Sequence, residues 1–160
     1  MTAAQTEVRV QANTMDPAKE LGSLFGASAA TGAVTSFVGL MRDFNQDSPV
    51  AEMTLEHYPG MTEKALQAIV DEALVRWSLH AVKVIHRVGK LRPADPIVLV
   101  AVASAHRGDA FRACEFLIDY LKTRAPFWKR ETTADGDTRW VESRGSDDQA
   151  AQRWRDADSS

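Results

Sequence analysis

The segment Pro96–Ser104 reads PIVLVAVAS, and it constrains this chain more than any other. A run of apolar, β-branched residues of that length, bounded by Pro93 and Asp95 before it, is a strand buried on both faces. A strand of that kind lies inside a sheet and needs covering layers above and below. The rest of the chain has to supply them.

The periodicities supply them in order. Glu7–Gln11 alternates, with Val8 and Val10 on one side. Asp16 then caps a helix with Pro17 at its first position and Leu21, Leu24 and Phe25 on its apolar face. Thr31–Leu40 is a strand, with Gly39 marking a bulge or a close backbone approach. Arg42–Pro49 is a polar loop. Val50–Tyr58 alternates again, placing Met53, Leu55 and His57 on one face. After the Pro59–Gly60 turn, Thr62 is positioned to cap a helix whose stripe is Leu66, Ile69, Val70, Ala73, Leu74 and Trp77. His80–Val88 is a strand, joined to the central one by a connection through Gly89, Pro93 and Asp95. A second strong helix spans Asp109–Arg124, with Phe111, Cys114, Leu117, Ile118 and Leu121 facing the core. Pro126 ends it. Phe127–Thr133 and Thr138–Val141 flank Asp135–Gly136, a type I′ hairpin signal. Asp147–Trp154 reads as a short surface helix with Trp154 packed down, and 155–160 as a frayed tail. Paired strands between helices define an α+β fold with a mixed or largely antiparallel sheet, in one domain over 1–160.

Charge narrows the function classes. The chain carries a net −3, which disfavours non-specific binding to nucleic acid or anionic membrane. The single cysteine, Cys114, cannot form an intramolecular disulfide, and it agrees with a reducing compartment. Met1–Val10 has no apolar leader segment, and no apolar run is long enough to span a bilayer, so a cytoplasmic location is expected.

Within this acidic chain, Ser104–Glu131 is locally +2 with histidine neutral. His106 and Arg107 stand where the buried strand gives way to the second strong helix. A basic pair there opposes the helix dipole unless an anion uses the free N–H groups, or Arg107 turns to solvent or to Asp109. Lys122 borders the core stripe near the end of the same helix. A lysine there either snorkels to water or forms a partly desolvated pair with Lys129. Two amines in one pocket lower each other's pKa and stabilise developing negative charge. Arg42 leaves an apolar strand just past Gly39 and suits a phosphate clamp or a solvated loop.

Other residues point to packing. His57, His80 and His86 fall in strands without zinc-site spacing, and Cys114 lies on an apolar helix face as an inert thiol. Phe127, Trp128 and Trp140 read as hairpin packing rather than a stacking platform. No Walker A loop, GxGxxG, GxSxG or HExxH occurs.

At Asp119–Glu131 the chain reads DYLKTRAPFWKRE. It is preceded by TGAVTSFVGLMRDFN (31–45), LEHYPGMTEKAL (55–66), HRVGKLRPAD (86–95) and SAHRGDAF (104–111), and followed by WVESRGSD (140–147). Together these segments resemble the molybdopterin synthase catalytic (large) subunit family over about residues 7–154. The resemblance implies an α/β-hammerhead-type domain with a small β subdomain. It implies a homodimer that binds a small ubiquitin-like sulfur carrier on each large subunit, giving a heterotetramer. The carrier's Gly-Gly thiocarboxylate tail would enter the site. There, two sulfurs are added to cyclic pyranopterin monophosphate to form the dithiolene of molybdopterin, without a further cofactor or metal. By the same resemblance Lys122 is the central catalytic residue and Lys129 assists. Leu40, Met41, Arg42, His106, Arg107, Arg130 and Glu131 line the substrate pocket with the two lysines. Phe44 departs from the more polar residue of many relatives. A non-catalytic binding module with the same fold and a lysine-dependent enzyme of another phosphate ligand are the rival readings. Dependence on a thiocarboxylated carrier separates them.

Overall fold

The computed structural model describes residues 3–45, 48–141 and 145–158. Gln46 and Asp47 of the polar loop, residues 142–144 of the last family-like segment and the extreme ends lie outside the described residues, as does the side chain of Phe44.

Pro96–Ser104 forms β7, the inner strand that its composition predicts. Its neighbours are β5 (Ala81–Arg87) and β2 (Ala33–Leu40), both antiparallel to it, while β1 (Gln5–Gln11) runs parallel to β5 on the far edge. Alternation along β7 divides the core. Val98, Val100 and Val102 pack against α2 (Met61–Arg76) and α3 (Arg107–Arg124) through Leu66, Val70, Ala113 and Leu117. Leu99, Ala101 and Ala103 face Leu24 and Leu21 near α1 (Pro17–Gly22). The small alanines let that short helix lie close, and Lys83 pins it by donating to the Glu20 carboxylate at 2.9 Å. Asp16 caps α1 as expected, accepting from the amides of Ala18 and Lys19.

The second sheet is antiparallel and centres on β4 (Ser48–His57). On one side β4 pairs with β8 (Phe127–Thr133), which pairs with β9 (Thr138–Val141). On the other it meets β3 (Phe44–Asn45) and β6 (Gly89–Leu91). β3 and β6 fall in segments that read as loop and connection, and they exist because β4 presents backbone to them. Gly39 fulfils the bulge reading, because the register shifts between Gly39 and Leu40; the close neighbour is a side chain rather than backbone, since a Cβ on Gly39 would sit 2.8 Å from Val98 Cγ1.

Several expectations are corrected. Thr62 is inside α2. Gly60 occupies the cap position and its N–H donates to Glu63, while the Thr62 hydroxyl donates to the Tyr58 carbonyl at 2.9 Å. The hairpin turn is not type I′, because Gly136 has positive φ and Asp135 does not; Gly136 N–H donates to the Thr133 carbonyl in a longer loop. Phe111 is 61% exposed, because the buried face of α3 runs through Ala110, Ala113, Phe116, Leu117 and Tyr120. The last helix, α4 (Gly145–Asp158), is longer than the 147–154 segment expected. Trp154 does pack down from it, edge-on to Trp77 and Phe116, with Nε1 donating to Asp119 at 2.7 Å.

Candidate functional site

α3 ends where its sequence says it must. Ala125 adopts an extended conformation ahead of Pro126, and the chain reverses into β8. This turn brings the last helical turn, with Lys122, beside the first residues of a strand that carries Lys129. The helix C-terminus favours a cation there. Alternation along β8 then decides which side chains join them: Phe127, Lys129 and Glu131 face a cleft, while Trp128 and Arg130 face away.

The cleft has a volume of about 380 Å³. Lys122 and Lys129 stand at it with Arg42, which follows Leu40 and Met41 from the end of β2. Met53, Leu55, Val98 and Leu121 form apolar walls, and His86 of β5 also lines it. An anion entering this space meets cationic side chains against a dry wall, where their field is stronger than in water. The end of β2 is held in place by a turn: Met41 N–H donates to the Asp95 carbonyl and Ala94 N–H to the Met41 carbonyl.

Asp147 of α4 also lines the cleft, and Glu131 is the buried counterweight to these cations. It is 3% exposed, and its carboxylate accepts from Arg139 Nε at 3.2 Å, from Arg139 Nη2 at 3.1 Å and from the Asn45 amide. With those bonds it ties the loop after Arg42 to the β8–β9 hairpin.

His86 is stacked on Phe127, with ring centroids 3.8 Å apart and planes 18° from parallel. Burial, followed by the nearby charges of Lys122 and Lys129, pushes its pKa down to about 3, so it is neutral. Cys114 lies in the core, where burial and then Glu115 push its thiol up to about 11. Among the described residues no three His, Cys, Asp or Glu side chains gather as a metal site.

The other candidates are placed elsewhere. His106 and Arg107 are exposed at the N-terminus of α3. Fifteen helical residues, about 22 Å at 1.5 Å each, separate Arg107 from Lys122. Arg130 lies over the Trp140 ring at 5.9 Å on the outer face of the hairpin. Trp140 itself is 60% exposed, so it does not pack within the hairpin as its composition suggested. Arg124 is committed to structure, with its guanidinium 3.7 Å from the Tyr120 ring centroid and a 3.1 Å ion pair to Glu72. From the sequence, His86 reads as a packing histidine of a strand rather than a ligand. Its only signal there is its place near the end of a strand, three residues before Gly89.

The fold and cleft define a small α+β domain that gathers lysines and an arginine at the meeting of two sheets. Residues 10–124 match the family described as MoaE protein, and the chain belongs to that family. It is 59% identical over 147 residues to the molybdopterin synthase catalytic subunit of Ralstonia nicotianae, covering 92% of this chain and 83% of the relative. It is 63% identical over 123 residues to the subunit of that name from Escherichia coli, covering 77% and 81%. Among solved structures, the molybdopterin biosynthesis MoaE protein of Burkholderia ambifaria superposes with a TM-score of 0.79 at 51% identity, covering 95% of this chain and 98% of that one. Molybdopterin synthase from Staphylococcus aureus superposes at 0.76 and 32% identity, covering 83% and 95%.

Proposed function

We propose that this chain is the catalytic subunit of a molybdopterin synthase. It transfers sulfur from the thiocarboxylated Gly-Gly tail of a small ubiquitin-like carrier to cyclic pyranopterin monophosphate, forming the dithiolene of molybdopterin. The observation that carries this reading is the convergence of Lys122, Lys129 and Arg42 on one cleft with apolar walls, in a chain whose only thiol is sealed in the core. Sulfur that cannot reside on the enzyme has to arrive from outside it, and a cationic cleft suits both an anionic carrier tail and a phosphate.

In this reading Arg42 holds the phosphate. Lys122 stabilises charge or transfers a proton as the thiocarboxylate sulfur attacks and as water then cleaves the acyl–sulfur bond, releasing the carrier as its carboxylate, and Lys129 supports the same charge. Leu40 and Met41 shape the wall beside Arg42, and Glu131 keeps loop and hairpin in register behind it. His106, Arg107 and Arg130 serve a cleft only where another chain's surface is brought up to it. A homodimer that presents the start of α3 to its partner's cleft meets that need for His106 and Arg107, and with two carriers it makes a heterotetramer. No helix among the described residues is long and apolar enough to cross a membrane, and the reading puts the reaction in the cytoplasm.

A single-turnover assay with purified chain, thiocarboxylated carrier and cyclic pyranopterin monophosphate tests it. Dithiolene from wild type and little from a folded, carrier-binding Lys122→Ala variant is the expected result. A wild type that binds carrier yet makes no product would replace this reading with a non-catalytic binding module.

A further inference from the structure

We propose that His86 is a ligand-binding residue of the cleft, its Nε2 lone pair accepting a hydrogen bond from an uncharged N–H that adjoins the anionic group held by Lys122 and Lys129. The inference rests on the sulfur-transfer reading and adds to it a contact that the lysines cannot make.

The tautomer follows from the partners. His86 Nδ1 lies 2.8 Å from the Arg87 carbonyl oxygen, which only accepts, so Nδ1 carries the proton. Nε2 is then a bare acceptor. It makes no hydrogen bond to the described residues, it is not among the polar atoms sealed without a partner, and His86 lines the cleft. The side chain is 5% exposed, and its ring is locked by the stack on Phe127 at 3.8 Å. This is a fixed, unpartnered acceptor on a buried residue that opens on the site.

Its surroundings define what it accepts. Lys122 from α3, Lys129 from β8 and His57 from β4 act on the ring electrostatically, and all three oppose a positive charge on it. The ring therefore stays neutral in the cleft. A neutral lone pair repels the oxygens and sulfur of a carboxylate, thiocarboxylate or phosphate and selects a donor. Leaving that acceptor dry and unpaired in the complex would weaken binding, so a ligand that supplies an N–H is favoured over one that does not. Two ligands of the proposed reaction have such a group near an anion. One is the amide of a terminal glycine, a single methylene from the thiocarboxylate. The other is a ring N–H of the pterin phosphate.

The test uses the full chain. With histidine ¹⁵N-labelled, His86 is expected to show an unprotonated Nε2 from about pH 5 to 8. That resonance is expected to move on titration with either a synthetic peptide ending in Gly-Gly carboxylate or cyclic pyranopterin monophosphate. The probe that moves it identifies the donor. His86→Phe, which keeps an aromatic ring against Phe127, is expected to raise the KM of that one ligand roughly three- to tenfold, the value of one neutral hydrogen bond. His86→Gln, which restores an acceptor at similar reach, is expected to recover most of the loss. A protonated Nε2, or a resonance that neither probe moves together with unchanged KM values in His86→Phe, overturns the inference. A wild type without sulfur transfer overturns the underlying reading instead.

Discussion

Glu131 and Arg139 face each other across the β8–β9 ladder, and the guanidinium donates both Nε and Nη2 to one carboxylate oxygen, Oε2. The other oxygen takes the Asn45 amide, so one buried carboxylate holds the hairpin and the Arg42 loop together. Glu131→Gln keeps the volume and removes the charge. It is expected to cost about 1–3 kcal/mol, less than a fully buried pair because Arg139 is partly exposed. Turnover should fall as well, since Arg42 loses its support. Arg139→Lys should fail to substitute, because an ammonium cannot make the forked contact. Chemical denaturation and single-turnover rates check both effects.

Arg107 lies at the end of α3 opposite Lys122. If two chains share each site, Arg107→Ala and Lys122→Ala are each inactive alone but complement when co-assembled. Random mixing makes half of the dimers mixed, each with one intact site, so about a quarter of wild-type activity should return. No recovery in demonstrably mixed dimers would confine each site to a single chain.

Ala94 has φ of +74° in the turn Arg92–Asp95, where Pro93 precedes it and Asp95 N–H donates to the Arg92 carbonyl at 3.0 Å. Left-handed backbone costs a non-glycine residue about 1 kcal/mol, and glycine returns part of that in unfolded-state entropy. Ala94→Gly should therefore gain about 0.5 kcal/mol, raising Tm by about 1–2 °C. Ala94→Val should lower it. Calorimetry of the variants decides.

His86 gives stability a pH dependence. Its folded pKa of about 3 lies below the ordinary 6.5. In acid the unfolded chain binds the proton first. The contribution of the neutral ring is complete above about pH 6.5 and is lost as pH falls toward 3, by up to about 1.4 kcal/mol per unit. His86→Phe should flatten the acid limb of stability against pH relative to wild type. Urea titrations across that window measure the difference.

The Cys114 thiol, held at about 11 by burial, should resist alkylation in the native protein at about pH 8 and react fully once unfolded. Mass spectrometry after timed labelling reads this directly. Rapid native labelling would contradict the sealed core on which the delivery of sulfur from outside the enzyme rests.

What was legible in the sequence follows burial. The β7 run and the stripes of α2 and α3 could be read because their periodicity reflects which side meets the core. The short strands β3 and β6 have no signal of their own; their partner β4 defines them. Phe111 was misread because a helical stripe gives spacing without phase. Ala110 and Ala113, small enough to admit the sheet, set the phase instead. Lys122, Lys129 and Arg42 were found as basic residues beside core elements. The acceptor on His86 was not, because it depends on a tautomer fixed by one carbonyl and on a ring, Phe127, far along the chain.

The alternation of β8 also sets how this protein can change length. Phe127, Lys129 and Glu131 share one parity, while Trp128 and Arg130 share the other. A single residue inserted between Phe127 and Trp128 would turn Lys129 outward and swing Trp128 toward the ligands. Insertions at 134–137, where no pairing is at stake, would leave that parity untouched. Evolution and engineering alike are free to lengthen the tip of this hairpin, while its stem has to keep its count.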